Sequence, residues 1–530
     1  MKRTTKKLCL LLTACLLAGI CAACAPTASP GGAAPAEGPA QSQTQPGGDA
    51  AAVRDTLVVV NNSEVQSCDP SATTAAPTFQ CLCQMLETLV EMDEDGNYVM
   101  CLAESVEQTD DITYLVHLRK GVKFHNGEEL KASDVVFTFQ RACASAKAAS
   151  NLPELNPEEI KEIDDYTVQF KTNGVVATFL NVLTRNNCMI LNQKAVEEAG
   201  EDVGRSCVGT GPYMFVDWQT GVQITMKAFD GYWGEKKASI PNVVYKFVDD
   251  ANSRIIMLEA GEADLIYAVS TSGVDILTGN SKVQVVEQPS NSVRWFFINT
   301  TVEPTNDINV RKAIAYALDT EALTYAVFGD HALPATSFLA PNIAGHTSDL
   351  ETYAFNIEKA KEHLAAAGYK EGELTLKLTM WSQTVQNSMA EIIQAQLGAA
   401  GINVEIEALE SAAFSAALAT GEIQIGLATN SNTSRDPDAA AKVFKSTNFP
   451  KPNYAGLSLP EVDALLEEGV ACFDEERREE IYTEVQQRAA EECCIIPLCY
   501  ENDIYGVSAE LGGFFISKSG SQKFVNYFFQ

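Results

Sequence analysis

The sequence predicts an α/β fold with more than one domain, and one segment gives the clearest reason. Residues 374–380 alternate apolar and polar side chains, which is typical of a strand with one buried face. Residues 389–397 place apolar side chains at helical spacing, Gly401 ends that helix, and residues 402–406 alternate again. This order forms a βαβ unit, whose strands run parallel. The chain of 530 residues is long enough for a large core and several domains.

The same segment predicts where a ligand would bind. In an open α/β sheet, ligands bind in the crevice beyond the carboxyl ends of the strands. Trp381 follows the first strand of the βαβ unit, and the loop 428–438 follows a later apolar strand at 423–427. We therefore expect Trp381 and this loop at the edge of a cleft. The alternative for Trp381 is a core or lid aromatic.

The N-terminus is typical of an export signal rather than of a folded element. Four Lys and Arg residues in the first seven positions precede an apolar run at 8–20, which is too short for a stable membrane anchor. Ala22-Ala23-Cys24 resembles a bacterial lipobox, with a Cys where Leu is preferred. We expect residues 1–23 to be a lipoprotein signal peptide and Cys24 to be lipidated; an ordinary secretory signal cleaved nearby is the alternative. The Ala-, Pro- and Gly-rich residues 24–52 predict a disordered tether.

Composition and charge argue against several functions. A formal net charge of −32 disfavours a phosphate-binding face, so no nucleic-acid partner is expected. Of the 15 cysteines, four lie in the first 24 residues, and the other 11 have neither paired CxxC spacing nor a dense disulfide pattern. Because that remainder is odd, at least one thiol stays unpaired within the chain. The His residues form no metal-binding spacing, and we expect no metal and no cofactor.

The stretch 114–139, YLVHLRKGVKFHNGEELKASDVVFTF, predicts a strand, a turn at Asn126-Gly127 and a helix. Ser133 is the expected N-cap of that helix, and Asp134 suits its positive first turn. Another helix is expected over 79–90. By physical chemistry alone, the stretch is a small β-turn-α unit without catalytic residues.

This stretch resembles a hallmark of the family-5 extracellular solute-binding proteins, the peptide and nickel binders that deliver ligand to ABC importers. Further segments resemble the family in the same order: 61–70 (NNSEVQSCDP), 209–213 (GTGPY), 230–233 (DGYW) and 310–319 (VRKAIAYALD). The resemblance implies an α/β, periplasmic-binding-protein-like type II fold with two lobes, a hinge and an extra β-rich subdomain inserted in lobe one. It also implies a monomeric, non-enzymatic protein, exported and lipid-anchored on the outer side of the cell membrane, that captures a solute for an ABC transporter permease.

The order of the matches also suggests domain boundaries. Lobe I comprises residues 53–67, residues 206–290 and a C-terminal return at 500–530. The inserted subdomain comprises 68–205, and lobe II comprises 291–499. Bound ligand is expected to shift the two lobes towards closure.

The resemblance implies ligand contacts at Ser63-Glu64-Val65. In oligopeptide-binding members of the family, the residues around the matching positions lie in the cleft and pair with the ligand backbone. The alternative is a loop that only begins the second lobe.

The loop 428–438 is expected to hold the end of the ligand. In peptide binders of the family, this loop contains a Trp and an Asp that pairs with the peptide amine. With Pro437 fixing the register, those positions are Asn430 and Thr433 here, so the usual ion pair is absent. The charged candidates that remain in the loop are Arg435, Asp436 and Asp438. Either carboxylate could replace the missing one, and the guanidinium could pair with an acid.

Peptides are the first expected ligand, because 63–65 can pair with an extended backbone whatever holds the ligand's ends. The neutral side chains of the loop leave a glycan or an N-blocked peptide as alternatives, and a nickel complex is a further one. An enzyme on this scaffold, such as a Cys-dependent hydrolase, is less expected. It would need a Cys–His pair beside the cleft loops, and no His lies near 381 or 428–438 in the sequence.

Overall fold

The computed structural model describes residues 54–348, 350, 353–432, 435–517 and 522–530. The expected signal peptide, the tether, Cys24 and Thr433 therefore lie outside the described residues. Among the described residues, no helix is both long and apolar enough to cross a bilayer.

The strands of the described chain follow in order. They are β1 (Thr56–Asn61), β2 (Val90–Met92), β3 (Tyr98–Met100), β4 (Ala103–Asp110), β5 (Thr113–Leu118), β6 (Lys161–Asp164), β7 (Thr167–Lys171), β8 (Tyr213–Gln219), β9 (Gln223–Ala228), β10 (Asn242–Phe247), β11 (Leu265–Ile266), β12 (Val283–Pro289), β13 (Ser292–Ile298), β14 (Ala332–Pro334), β15 (Leu374–Trp381), β16 (Ile402–Leu409), β17 (Ile425–Ser431), β18 (Ile495–Ser508), β19 (Leu511–Gly512) and β20 (Phe528–Phe529).

The α-helices lie between these strands. They are α1 (Ala76–Leu82), α2 (Ala132–Ala144), α3 (Phe179–Thr184), α4 (Gln193–Ala199), α5 (Ala251–Glu259), α6 (Thr271–Leu277), α7 (Ile308–Ala317), α8 (Thr320–Phe328), α9 (Ile357–Ala366), α10 (Thr384–Ala399), α11 (Ser411–Leu418), α12 (Pro437–Ala441), α13 (Pro460–Ala471) and α14 (Glu475–Glu491).

One long strand, β18, joins two halves of a large mixed sheet with the order β16-β15-β17-β13-β18-β11-β1-β10-β9-β8. The first part of β18 pairs with β13 and β14, and its later part pairs with β11 and β12. We call β8–β12 with β1 the first half-sheet, and β13–β17 the second half-sheet. The chain passes between them at the β12–β13 turn and again inside β18.

The expected βαβ unit is confirmed. β15 and β16 pair in parallel from Leu374↔Ile402 to Trp381↔Leu409, and α10 connects them. β17 also runs parallel to β15, so the carboxyl ends of all three strands meet at one edge. Leu376 and Leu378 are fully buried between the strands and the helices, which is the face that the alternation predicted.

Residues 89–190 have a hydrophobic core of their own. A four-stranded antiparallel sheet, β4-β5-β7-β6, packs against α2, and the β2–β3 hairpin lies beside it. The predicted strand, turn and helix of 114–139 are present as β5 and α2. The predicted N-cap is wrong: α2 begins at Ala132, and the carboxylate of Asp134 accepts the backbone N–H of Lys131 at 3.1 Å.

The sequence motifs at 209–213 and 230–233 meet at one buried carboxylate, Glu87. It accepts hydrogen bonds of 2.8 Å from Thr210, Tyr232 and the indole of Trp233. Burial raises the pKa of Glu87 to about 7. The predicted helix over 79–90 is correspondingly wrong beyond Leu82, because the chain leaves the helix to place Glu87 at these donors. These motifs therefore have a structural role.

Candidate functional site

The edge formed by the carboxyl ends of β15 and β17 carries the predicted candidates. Trp381 ends β15 and is 38 % exposed, so it is not a core aromatic; the lid alternative remains open. The predicted limits of the loop 428–438 are wrong, because β17 extends to Ser431 and α12 begins at Pro437. Asn430 therefore lies in β17, and its amide donates to the carbonyl of Ala440 at 3.0 Å. Asn432 is buried and donates to the carbonyl of Asp436 at 2.7 Å. The loop is thus bonded to itself and to the first turns after it.

The side chain of Asp436 has a structural role. It is 5 % exposed and caps α12 by accepting the backbone N–H of Asp438 at 2.9 Å. The same oxygen accepts from the guanidinium of Arg478, on α14, at 2.6 Å. Arg478 is itself buried and also donates to the carbonyl of Gly469. A carboxylate with these partners would have to give up a buried ion pair to bind a ligand amine, which is costly.

Asp438 lies two residues further on in a different environment. It is half-buried, and among the described residues its carboxylate receives one hydrogen bond, from the hydroxyl of Tyr482 at 3.4 Å. Burial, with a contribution from the charge of Asp436, raises the pKa of Asp438 to about 6. Lys442 lies one helical turn later, and burial lowers the pKa of its ammonium. The carboxylate of Asp438 is therefore shielded from solvent but has fewer hydrogen-bond partners than that of Asp436.

A buried ion pair of residues 89–190 faces this part of the loop. Arg185 donates to both carboxylate oxygens of Glu154 at 2.8 and 3.0 Å. Although burial opposes ionisation, Arg185 holds the pKa of Glu154 below its usual value. Both residues interact electrostatically with Lys442 and Asp438. Sequence reasoning missed this pair, because nothing in the local pattern at 154 or 185 signals a neighbour more than 250 residues away.

Arg435 adopts a left-handed backbone conformation with φ of 57°. Its guanidinium donates to the carbonyl of Asn342 at 3.2 and 3.0 Å and to the carbonyl of Asp95 at 3.4 Å. It therefore bridges protein backbone in this structure and is not directed at an open acid-binding position.

The predicted contacts at 63–65 are held by the first half-sheet. The carboxylate of Glu64 accepts from the indole of Trp218 at 3.2 Å and from the backbone N–H of Gly221 at 2.8 Å. Val65 is 2 % exposed and belongs to the core. Ser63 is half-buried, and the segment lies just after β1. The side chains of Glu64 and Val65 thus have structural partners, while Ser63 and the backbone are the groups that remain for a ligand.

Within the described ranges, none of the imidazoles hydrogen-bonds to a cysteine thiol, as a Cys-dependent hydrolase would require. Among the described residues, their nearest polar partners are Thr167 for His117, the 209–211 turn for His125, Glu287 for His331, Leu339 for His346 and Asn309 for His363. The 11 cysteines of the described chain are all free thiols. One group of metal-ligating type is present in the described chain, at Glu87, Glu91 and Cys101, but the ammonium of Lys523 already pairs with Glu91 at 2.8 Å.

Two half-sheets that share β18, with loops at the carboxyl ends of β15 and β17, are the arrangement of the two-lobed periplasmic binding proteins with the type II fold. The ABC transporter-associated periplasmic binding protein DppA from Helicobacter pylori, solved in complex with the peptide STSA, superposes with a TM-score of 0.80. The match covers 90% of this chain and 98% of that chain at 24% identity, which shows the fold.

The family follows from the sequence comparisons. The sequence model of the family described as bacterial extracellular solute-binding proteins, family 5 Middle, matches residues 97–451. Heme-binding protein A of Haemophilus influenzae is 30% identical over 475 residues, covering 83% of this chain and 86% of that protein. Glutathione-binding protein GsiB of Escherichia coli is 29% identical over 442 residues, covering 81% and 85%. The chain belongs to the family-5 extracellular solute-binding proteins, which are periplasmic or exported and bind solutes for ABC transporters.

Proposed function

We propose that this protein is a lipid-anchored binding protein that captures small peptides with a free amine and delivers them to an ABC transporter permease. The observation that carries the choice of ligand is the contrast between Asp436 and Asp438. Asp436 has a buried guanidinium and a helix N-terminus as partners, whereas Asp438 has one long hydrogen bond from a tyrosine hydroxyl. Asp438 therefore takes the role of the carboxylate that is missing at position 433.

The charges around Asp438 suit an ammonium group. A ligand amine that loses its water needs a paired carboxylate, because an unpaired buried charge costs several kcal/mol. Asp438 lies at a position where its own ionisation is disfavoured by burial. An incoming ammonium would relieve that penalty, so amine and carboxylate would stabilise each other's charged forms.

One of the relatives supports a peptide as the ligand. One relative, at 29% identity, is a glutathione-binding protein, and glutathione is a small peptide with a free amine and two carboxylates. The basic residues Arg185 and Lys442 lie close enough to Asp438 to affect its pKa or to be affected by it, which would suit a ligand that has both charges. A glycan or an N-blocked peptide would offer no ammonium group for Asp438 to pair with.

The transport role also fixes the expected architecture. We assign lobe I to 53–67, 206–290 and 500–530, the inserted subdomain to 68–205, and lobe II to 291–499. The protein acts as a monomer without catalytic activity, and the lobes close about the β12–β13 turn and β18. Small-angle scattering of the mature chain should show compaction when ligand is added; an unchanged radius of gyration on binding would contradict the two-lobe assignment.

The lipid anchor is proposed from Cys24 and has its own test. Cys24→Ala, or treatment of cells with globomycin, should block processing or release the protein from the membrane fraction. Unchanged partitioning into detergent would contradict the anchor without affecting the proposed ligand.

The ligand is tested directly by mass spectrometry of solute that co-purifies with the protein, followed by calorimetry with trialanine, N-acetyl-trialanine and reduced glutathione. Asp438→Asn should weaken trialanine binding about 10- to 100-fold, the range expected for loss of a charged hydrogen-bond partner. Glu410→Gln, at an exposed position before α11, is the matched control and should bind as the unmodified protein does. Equal affinity for the acetylated peptide, indifferent to Asp438→Asn, would overturn the proposed peptide amine and favour a blocked ligand.

A further inference from the structure

The turn between β2 and β3 is a self-bonded structure. One carboxylate oxygen of Asp93 accepts the backbone N–H groups of Asp95 and Asn97 at 3.0 and 2.8 Å, and the other accepts the side-chain amide of Asn97 at 3.0 Å. These hydrogen bonds lower the pKa of Asp93, so the turn keeps its charge and its shape at neutral pH. Gly96 at its tip has φ of 88°, a conformation that favours glycine.

The guanidinium of Arg435 covers this glycine. A Cβ atom added at Gly96 would lie 1.5 Å from Nη1 of Arg435, so the two groups are in direct contact. The same Nη1 donates to the carbonyl of Asp95 at 3.4 Å, while Nε and Nη2 donate to the carbonyl of Asn342. The side chain of Arg435 thus contacts two separate segments: the backbone at Asn342, and the 93–97 turn.

We propose that Arg435 is a latch: a positioning residue that holds the segment 435–438 against the 93–97 turn when the protein is closed. The inference rests on the proposed function, because closure matters only for a protein that encloses a solute. It deepens that function by explaining why a left-handed residue immediately precedes the cap Asp436. At this left-handed position the guanidinium of Arg435 reaches the carbonyl of Asp95, while the next residue, Asp436, caps α12.

Other contacts also join residues 89–190 to the part of the chain that contains Arg435. The backbone N–H of Ala177 donates to the carbonyl of Val470, at the end of α13, at 2.9 Å. The pair Glu154–Arg185 faces Lys442 and Asp438. The bonds from Arg435 to Asn342 stay within the second half of the chain and can persist when the lobes open, whereas the bond to Asp95 and the contact with Gly96 must break. The latch therefore stabilises the closed arrangement relative to the open one, and it does so in the ligand-free protein as well, because its contacts involve protein groups alone.

The chain offers a matched pair of glycines for the test. Gly96 and Gly127 both have φ of 88°, but a Cβ at Gly127 would meet no atom within 4 Å. Gly127→Ala therefore reports the backbone strain alone, and Gly96→Ala reports the same strain together with displacement of Arg435. The measurement is amide hydrogen exchange of the mature protein without any ligand, followed in the segments 93–97 and 425–445.

Arg435→Ala and Gly96→Ala should each increase exchange about 3- to 10-fold in both segments, the range for losing a partly exposed charged hydrogen bond. Gly127→Ala should leave 425–445 unchanged, and Arg435→Lys should restore part of the protection. The double variant Arg435→Ala/Gly96→Ala should not exceed the larger single effect, because both changes remove one contact. Additive effects, or Gly96→Ala behaving as Gly127→Ala does, would overturn the latch. Because no ligand is present, failure of the peptide proposal would not change these results.

Discussion

The segment 63–65 and the loop 428–438 are both expected from the sequence to contact ligand, and the structure holds them in different ways. The first half-sheet takes up the side chains of Glu64 and Val65, so 63–65 presents mainly backbone. At the end of the loop, Asp436 pairs with Arg478, whereas Asp438 accepts one long hydrogen bond from Tyr482. A segment at a cleft can thus bind through its backbone or through one unsatisfied side chain. Which of the two applies depends on the partners that the rest of the fold supplies.

The largest effect is expected from Asp436. Asp436→Asn should lower the free energy of unfolding by about 3 kcal/mol, because Arg478 would keep its buried charge without a carboxylate. The matched control lies one residue away on α14: Arg477 pairs with Glu468 at 2.9 Å, and both side chains are exposed. Glu468→Gln should change stability by less than about 1 kcal/mol. Equal effects of the two variants in urea unfolding would contradict the structural role of Asp436.

The next effect concerns the buried part of 63–65. Val65→Ala should destabilise the protein by about 2 kcal/mol, since it removes two buried methyl groups and leaves a cavity. Val222→Ala is the control, because Val222 is 52 % exposed in the neighbouring hairpin turn. Chemical denaturation of the two variants checks the difference. If Val65→Ala destabilises the protein no more than Val222→Ala does, the core role of Val65 is contradicted, and a ligand contact at Val65 remains possible.

A variant of Glu64 tests whether its side chain contacts the ligand or only the protein. Glu64→Ala removes an acceptor from the N–H of Gly221 and the indole of Trp218 and should cost about 1 kcal/mol of stability. Affinity for trialanine should change less than about twofold, in contrast to the loss expected for Asp438→Asn. Calorimetry measures both quantities on the same samples. A strong loss of affinity in Glu64→Ala would show that this carboxylate, and not Asp438, holds the ligand.

The smallest expected effect is the pH dependence due to Asp438. Because its pKa is about 6 in the folded protein and about 4 in an unfolded chain, the folded state binds this proton more tightly. The contribution of Asp438 to stability therefore falls as pH rises from about 4 to about 6, and the penalty persists above that range. Asp438→Asn should remove this part of the slope in thermal unfolding. An identical slope in the variant would contradict the elevated pKa.

Binding of an amine should show the opposite trend. The ligand ammonium needs Asp438 ionised, so affinity for trialanine should decrease as the pH falls below about 6.

Much of the fold could be predicted from the sequence because it depends on local pattern. The alternation at 374–380, the helical spacing at 389–397 and Gly401 are enough for the β15-α10-β16 unit, and the strand-end rule places Trp381 and the 428–438 loop at one edge. The helix limits at 79–90 and the cap at Ser133 were wrong, because Glu87 and Asp134 have hydrogen-bond partners that the local pattern does not reveal.

By itself, the sequence determined the α/β class and the family, predicted the edge of the sheet at which the ligand binds, and showed Thr at position 433, where peptide binders of the family have an Asp. The tertiary structure decided which of the remaining charges has protein partners. Asp436 pairs with Arg478, which lies 42 residues away, and Arg435 reaches the carbonyl of a residue 340 positions away. Periodicity and motif spacing report what a segment does with its neighbours along the chain. Pairing, burial and the resulting pKa depend on groups that only folding brings together, so they could not be read from the loop alone.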